Sequence, residues 1–287
     1  MPLPSVHFSL AHLALDHWSA DPLNAPFDVA SGEARNAYFQ GTLGPDMGLF
    51  PGGEPLVSEL AHSQRTGALT RALVQHARTD VERGFAWGWV THVVADVAVH
   101  PTVNDCARAA VLASGACATD ERALALAHSR LELGLDVRVL ARDRRLRAVR
   151  LAHVFDRRSI DYLRSAYGDA YGLSFKREWL LRSHRAVAPL AWALLRLERL
   201  HGHAAPHRTS SLARRLLCVL ARTLKPRLSA RNAAFLSPLR APRSLVAAYE
   251  ETRATFWTTM RRLQHDGLRS LGDPDLDGKI APALLSA

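Results

Sequence analysis

Three side chains able to hold a metal ion recur at every fourth position: His92, Asp96 and His100. On a helix, each step of four residues advances about 40° around the axis, so all three project from one face. Their neighbours are Val, Ala and Trp, which predicts that this face is buried. Ionisable groups on a buried face are costly unless paired or metal-bound. Zinc accepts this mixture of imidazole and carboxylate ligands; three separately satisfied polar residues are the other reading. His128 and Glu132 repeat the i, i+4 pattern, Asp136 continues their stripe, and Leu124, Leu131 and Leu135 surround them. A lone His/Glu pair is commonly a surface hydrogen bond. Two helices, each with an inward His-carboxylate row, look like two walls of one site. Upstream, Asp46 sits in a Gly44-Pro45-Asp46 turn, His62 opens the next expected helix, and His7 lies near the start. Each of these three is weak evidence alone. His12, His17, His76, His153, His184 and the group His201, His203 and His207 have no such partner pattern.

The elements that must position these groups are helices. Helical periodicity predicts helices over 5–19, over 31–41 after a Ser31 cap, and over 56–79. Gly44-Pro45 and Pro51-Gly52-Gly53 mark the loop between the last two. Residues 80–100 are rich in valine but too long for a strand, and Pro101 should stop or kink that helix. A further helix is expected over 119–142, with a Thr119/Asp120 start. Basic helices follow in 143–228, with a loop near 201–210, and a last helix covers about 243–264. No repeat or linker divides the chain, so residues 1–287 read as a single all-α domain. Its metal motifs lie in 1–140 and its basic helical part in 143–287.

Of the 287 residues, 48% are hydrophobic and 22% charged, as in a globular, soluble protein. The formal net charge is +10. That favours anionic partners such as phosphate esters, nucleic acid or acidic lipid headgroups, although a coding bias toward arginine explains it equally well. Cys106, Cys117 and Cys218 fit no zinc-finger spacing, and a reducing compartment is the simpler expectation. The first residues show no basic, apolar and small-residue leader pattern. No run reaches the roughly 18 apolar residues of a membrane span. A cytoplasmic location is therefore expected.

The order of these motifs resembles the bacterial zinc-dependent phospholipase C family, which shares its helical fold with fungal single-strand nucleases. The resemblance covers roughly residues 1–140. It rests on His7, Leu43-Gly44-Pro45-Asp46, His62, Gly88-x-x-x-His92-x-x-x-Asp96-x-x-x-His100-Pro101 and His128-x-x-x-Glu132. Asp136 matches an acidic position of many intracellular members. The resemblance implies a phosphoesterase that cleaves a phosphodiester with metal-activated water and two or three zinc ions. His62, His92 and Asp96 would hold one ion, with Asp46 close by and able to orient or deprotonate the water. His100, His128 and Glu132 would hold a second. His7, Asp96 and the N-terminus would hold a third, with Asp136 behind the ligands. The chain departs from the secreted members in beginning Met1-Pro2, where they expose a processed tryptophan. It also has Met47 where an aromatic residue would help cage choline. A phosphate-ester substrate is expected, including a phospholipid head group, with peripheral contact to an anionic membrane. The alternatives are a nuclease or nucleotidase of the same fold, using Trp87, Trp89 or Trp179, and a non-catalytic metal-stabilised protein at a membrane surface. Other metal architectures fit less well. Di-iron bundles want Glu-x-x-His, the only His-Asp doublet is His265-Asp266, and the Asp273-Pro-Asp275-Leu-Asp277-Gly278 tail lacks a calcium loop's terminal Glu.

Overall fold

A computed structural model describes residues 4–117, 119–203 and 239–276. Among these residues the protein is all-helical, without a β-strand. The helices are α1 (Pro4–Ala20), α2 (Gly32–Gly41), α3 (Pro55–Ser63), α4 (Thr66–His76), α5 (Asp80–Ala113), α6 (Glu121–Arg142), α7 (Asp161–Tyr171), α8 (Arg177–His203) and α9 (Arg243–His265).

Local sequence explains most of these boundaries. The Ser31 hydroxyl accepts the Ala34 N–H and starts α2. Thr79 and Glu82 form a reciprocal capping box that starts α5. The Asp120 carboxylate accepts the N–H groups of Arg122 and Ala123 and starts α6.

Four expectations need correction. The helix expected over 56–79 is two helices, divided at Arg65, whose φ of 49° is left-handed. His62 therefore lies at the end of α3 instead of opening a long helix. Pro101 does not stop α5, which continues to Ala113. A proline costs its helix one N–H bond, here the one to the Val97 carbonyl, and burial on both sides keeps the helix going. The arginine-rich stretch after 142 forms only a 3-10 turn, Arg144–Ala148. Residues 201–203, placed in a loop by sequence, end α8. The rest of that loop, the leucine- and arginine-rich stretch 210–228 and Cys218 lie outside the described residues. Cys106 and Cys117 are free thiols.

α5 is the axis of the fold, packed by α1, α2, α4, α6 and α9. Its closest neighbour is α2. A methyl group on Gly88 would fall 2.0 Å from the Tyr38 carbonyl oxygen and 2.8 Å from the Gly41 Cα. Only glycine permits the two backbones to come so near. Around this contact lies a core that includes the fully buried Trp18, Trp89, Tyr38, Tyr167, Phe8 and Phe85. Gly88 precedes His92 by one four-residue step, so the contact fixes the height and rotation of the metal-ligand stripe against the end of α2. No helix of the described residues is long and apolar enough to cross a membrane.

Candidate metal centre

α5 supplies His92, Asp96 and His100 from one face, and all three are buried. α1 brings His7, α3 brings His62, the turn after α2 brings Asp46, and α6 brings His128 and Glu132. These eight side chains form three groups, each with its potential ligand atoms within 4.8 Å of one another: His7, His92 and Asp96; Asp46, His62 and His92; and His100, His128 and Glu132. The resemblance implied His62, His92 and Asp96 around one ion, with Asp46 close by. In the structure Asp46 shares a group with His62 and His92, its Oδ1 3.2 Å from His62 Nε2.

Asp96 joins the groups. Its Oδ2 is 2.9 Å from His92 Nε2, and its Oδ1 is 3.6 Å from His7 Nε2 and 3.9 Å from His100 Nε2. Glu132 Oε1 lies 2.7 Å from His128 Nε2 and 3.2 Å from His100 Nε2. Seven of the eight side chains are buried; His128 is the most open, with 19% of its side chain exposed.

Four imidazoles are oriented from behind. The Nδ1–H of His92 donates to the Thr42 carbonyl (2.9 Å), that of His62 to the Ser58 carbonyl (2.8 Å), and that of His100 to the Leu276 carbonyl. His128 Nδ1 lies 2.9 Å from Asn104 Oδ1. A donor bond at Nδ1 leaves the Nε2 lone pair facing the cluster, which is how metal-binding imidazoles are oriented. Asp136 and Glu198 act one step further out. Asp136 Oδ1 accepts the Val6 N–H at 2.7 Å and the Ser5 hydroxyl donates to Glu198, so both acids hold the start of α1 beside His7.

Burial and charge oppose each other throughout the site. Burial alone would raise the Asp96 pKa, but the charges of His100, His92 and His7 drive it far below the ordinary value. Burial would likewise raise those of Asp46 and Glu132, and their histidine neighbours depress both. All three carboxylates are therefore held ionised, the form in which they bind metal. Burial would lower the His100 pKa, but Asp96 and Glu132 push it up to about 9. Burial and the nearby His92 push His7 down to about 3, so His7 is a neutral imidazole at pH 7. Its ring stacks on His92, with centroids 4.3 Å apart and planes at 10°, and neither ring nitrogen has a hydrogen-bond partner.

Those unpartnered nitrogens test whether the site suits a metal. A buried polar atom without a hydrogen bond costs about 1–3 kcal/mol. Here the Nε2 atoms of His7, His62, His92 and His100 and the carboxylate oxygens of Asp46 and Asp96 are all in that condition. They point toward one another from four separate segments. A set of imidazole nitrogens and ionised carboxylates so arranged fits zinc in chemistry, and a bound ion would displace the proton that His100 otherwise holds.

The sequence reading missed Thr42, Asn104, Glu198 and Leu276. Asn104 carried a signal, since it extends the stripe His92, Asp96, His100 by one more step of four. Thr42 and Leu276 act through backbone carbonyls, which no residue type reports.

No curated protein and no solved structure matches the chain. The family model described as zinc dependent phospholipase C matches residues 6–192, which include every residue of the cluster. That match spans well over half of the 287 residues, and the chain belongs to the zinc-dependent phospholipase C family.

Proposed function

We propose that the protein is a zinc-dependent phosphoesterase that hydrolyses a phosphodiester with an activated water. The observation that carries this reading is the position of Asp96. One buried carboxylate faces His7, His92 and His100, so the ligand groups share a wall and ions held by them would be close neighbours. Bound zinc ions would supply Lewis acidity toward the phosphoryl oxygens and lower the pKa of water.

The protein's own residues do the rest. His7, His62, His92, His100 and His128 would turn their Nε2 atoms to the ions, His100 giving up its proton on binding, and Asp96 and Glu132 would balance the charge. Asp46 is ionised and lies beside His62 at the edge of its group. Its carboxylate would orient the attacking water and accept its proton. Seven of the eight ligand side chains are buried, so bulk solvent is largely excluded, which strengthens each of these interactions.

The substrate class is a phosphodiester of phospholipase C type, with a lipid head group preferred over nucleic acid. Trp87 and Trp89 are buried in the core, where they cannot serve as stacking platforms for bases. Trp179 is half-buried beneath Lys176.

The test is elemental zinc per chain, together with turnover on a soluble chromogenic phosphodiester, a short-chain phospholipid and single-stranded DNA. Two or three zincs with phospholipid turnover that falls in Asp46→Asn support the reading. A zinc-loaded protein that cleaves only DNA replaces the substrate class, and a folded protein that takes up no zinc overturns the function.

A further inference from the structure

The segment that follows α9 turns back into the molecule. Gly272 to Leu276 crosses the junction of α3 and α4, and Leu276 is fully buried. Two backbone groups of this one residue reach the cluster from outside. Its N–H donates to the carbonyl of His62 at 2.9 Å, and its carbonyl accepts from Nδ1 of His100. The first bond satisfies a carbonyl at the C-terminal end of α3, where the helix leaves such groups open. The second fixes the rotation of an imidazole in a different ligand group.

The segment has its own anchor. α4 begins at Arg65 without a side-chain cap. The missing acceptor comes from Asp273, whose Oδ1 takes the Ala68 N–H at 2.8 Å. Arg71 adds a bond to the Gly272 carbonyl at 3.4 Å. A methyl on Gly67 would fall 1.4 Å from that same carbonyl oxygen, so the two backbones are in direct contact. In the aspartate-rich tail, Asp273 thus caps a helix.

We infer that residues 272–276 are a positioning strap of the metal centre, holding His62 and His100 at once through Leu276, with Asp273 as its anchor. The strap lies beyond the stretch matched by the family model. It explains how two ligand groups on separate helices keep one register: both are tied to the same residue. Loss of such an outer partner of a ligating histidine lowers metal affinity about 10–100-fold.

The inference rests on the metal reading, and the experiment separates the two. Zinc affinity is measured by chelator competition on the full chain, for wild type, Asp273→Ala, Asp273→Asn and Leu276→Pro, with helix content followed by circular dichroism. Asp273→Ala removes the anchor. Asp273→Asn keeps an Oδ1 acceptor. Leu276→Pro removes the N–H donated to His62. The expected result is zinc binding weakened about 10–100-fold in Asp273→Ala and Leu276→Pro, near wild type in Asp273→Asn, and unchanged helix content in Asp273→Ala. Equal affinity in folded Asp273→Ala and wild type overturns the strap. Should Leu276→Pro unfold, chains ending at Leu276 and at Leu271 replace it, and equal zinc affinity in these two is again contrary. A wild type that binds no zinc removes the metal reading itself, a result the variants cannot mimic.

Discussion

Replacing Asp96 by asparagine keeps the shape of the side chain and deletes one buried charge. The effect can be sized from His100. Its pKa rises from 6.5 to about 9 against the effect of burial, with Asp96 the largest favourable cause and Glu132 the next. At about 1.36 kcal/mol per unit, the two acids favour one positive charge there by at least ~3 kcal/mol. Assigning about half to Asp96 gives ~2 kcal/mol for a unit charge, or ~4 kcal/mol for a divalent ion in the same field. Since 1.4 kcal/mol is tenfold, zinc affinity should fall by roughly two to three orders of magnitude. The assay is competition with a chromogenic chelator, paired with turnover on a soluble phosphodiester. Full zinc occupancy and full turnover in a folded Asp96→Asn protein would falsify the claim that this carboxylate joins the ligand groups.

Three further perturbations probe the fold and the site separately. Stripping metal with a chelator leaves the buried imidazoles and carboxylates unpartnered. A ligand at 1,000 times its Kd contributes about 4 kcal/mol, so the unfolding midpoint should drop by roughly 10 °C; an unchanged midpoint argues against a buried metal centre. Gly88→Ala drives a methyl into the Tyr38 carbonyl and pushes α2 off α5. A loss of about 1–3 kcal/mol in urea unfolding is expected, together with weaker zinc binding as Thr42 withdraws from His92; a neutral substitution refutes the close contact. Glu198 is fully buried, and burial raises its pKa to about 8, above an unfolded value of 4.5. The native state therefore holds a proton that the unfolded chain releases between these values. Stability should fall as pH rises through that window, by about 1.4 kcal/mol per unit. In chelator, Glu198→Gln should flatten that slope, and an equally steep slope in both proteins would clear Glu198 of the effect.

The ligand stripe on α5 was legible because its information is local. His92, Asp96 and His100 sit four apart in a long apolar helix, so their common face follows from the helical repeat. His128 and Glu132 are readable for the same reason. The break at Arg65 was read through because leucines four apart stand on either side of it, Leu56 and Leu60 before and Leu69 and Leu73 after, although Leu60 and Leu69 are half a turn out of phase and a polar run ending in Gly67 separates them. Arg65 accepts left-handed geometry there because tertiary contacts hold the junction, including the strap more than 200 residues away in sequence. Pro101 misled in the opposite direction. A proline weakens one turn, but a helix packed along its length by several partners outlasts the loss. Spacing alone does not say which ligands group together, since the contact of His62 with Asp46 depends on where the turn after α2 folds back; the grouping came from the resemblance, which set Asp46 near His62 and His92 and put His100, His128 and Glu132 together.

The partners that orient the histidines have a bearing on substrate charge. His62, His92 and His100 donate to backbone carbonyls, and His128 meets the amide of Asn104. None of these four uses a carboxylate for its Nδ1, so the outer layer adds no formal negative charge there. The negative charge of the ligand set then comes from Asp46, Asp96 and Glu132 alone. Under the proposed function, two divalent ions would exceed those three carboxylates by one unit of positive charge, and a third ion would widen the excess. A phosphodiester carries one negative charge, so it would enter a buried site of opposite sign, and the low dielectric around α5 strengthens that attraction. A carboxylate behind any one of the four rings would cancel the excess of the two-ion site. Under the proposed function, the choice of carbonyl and amide acceptors, two of them supplied by Thr42 and Leu276 from distant parts of the chain, would thus help the fold prepare the centre for an anionic ester.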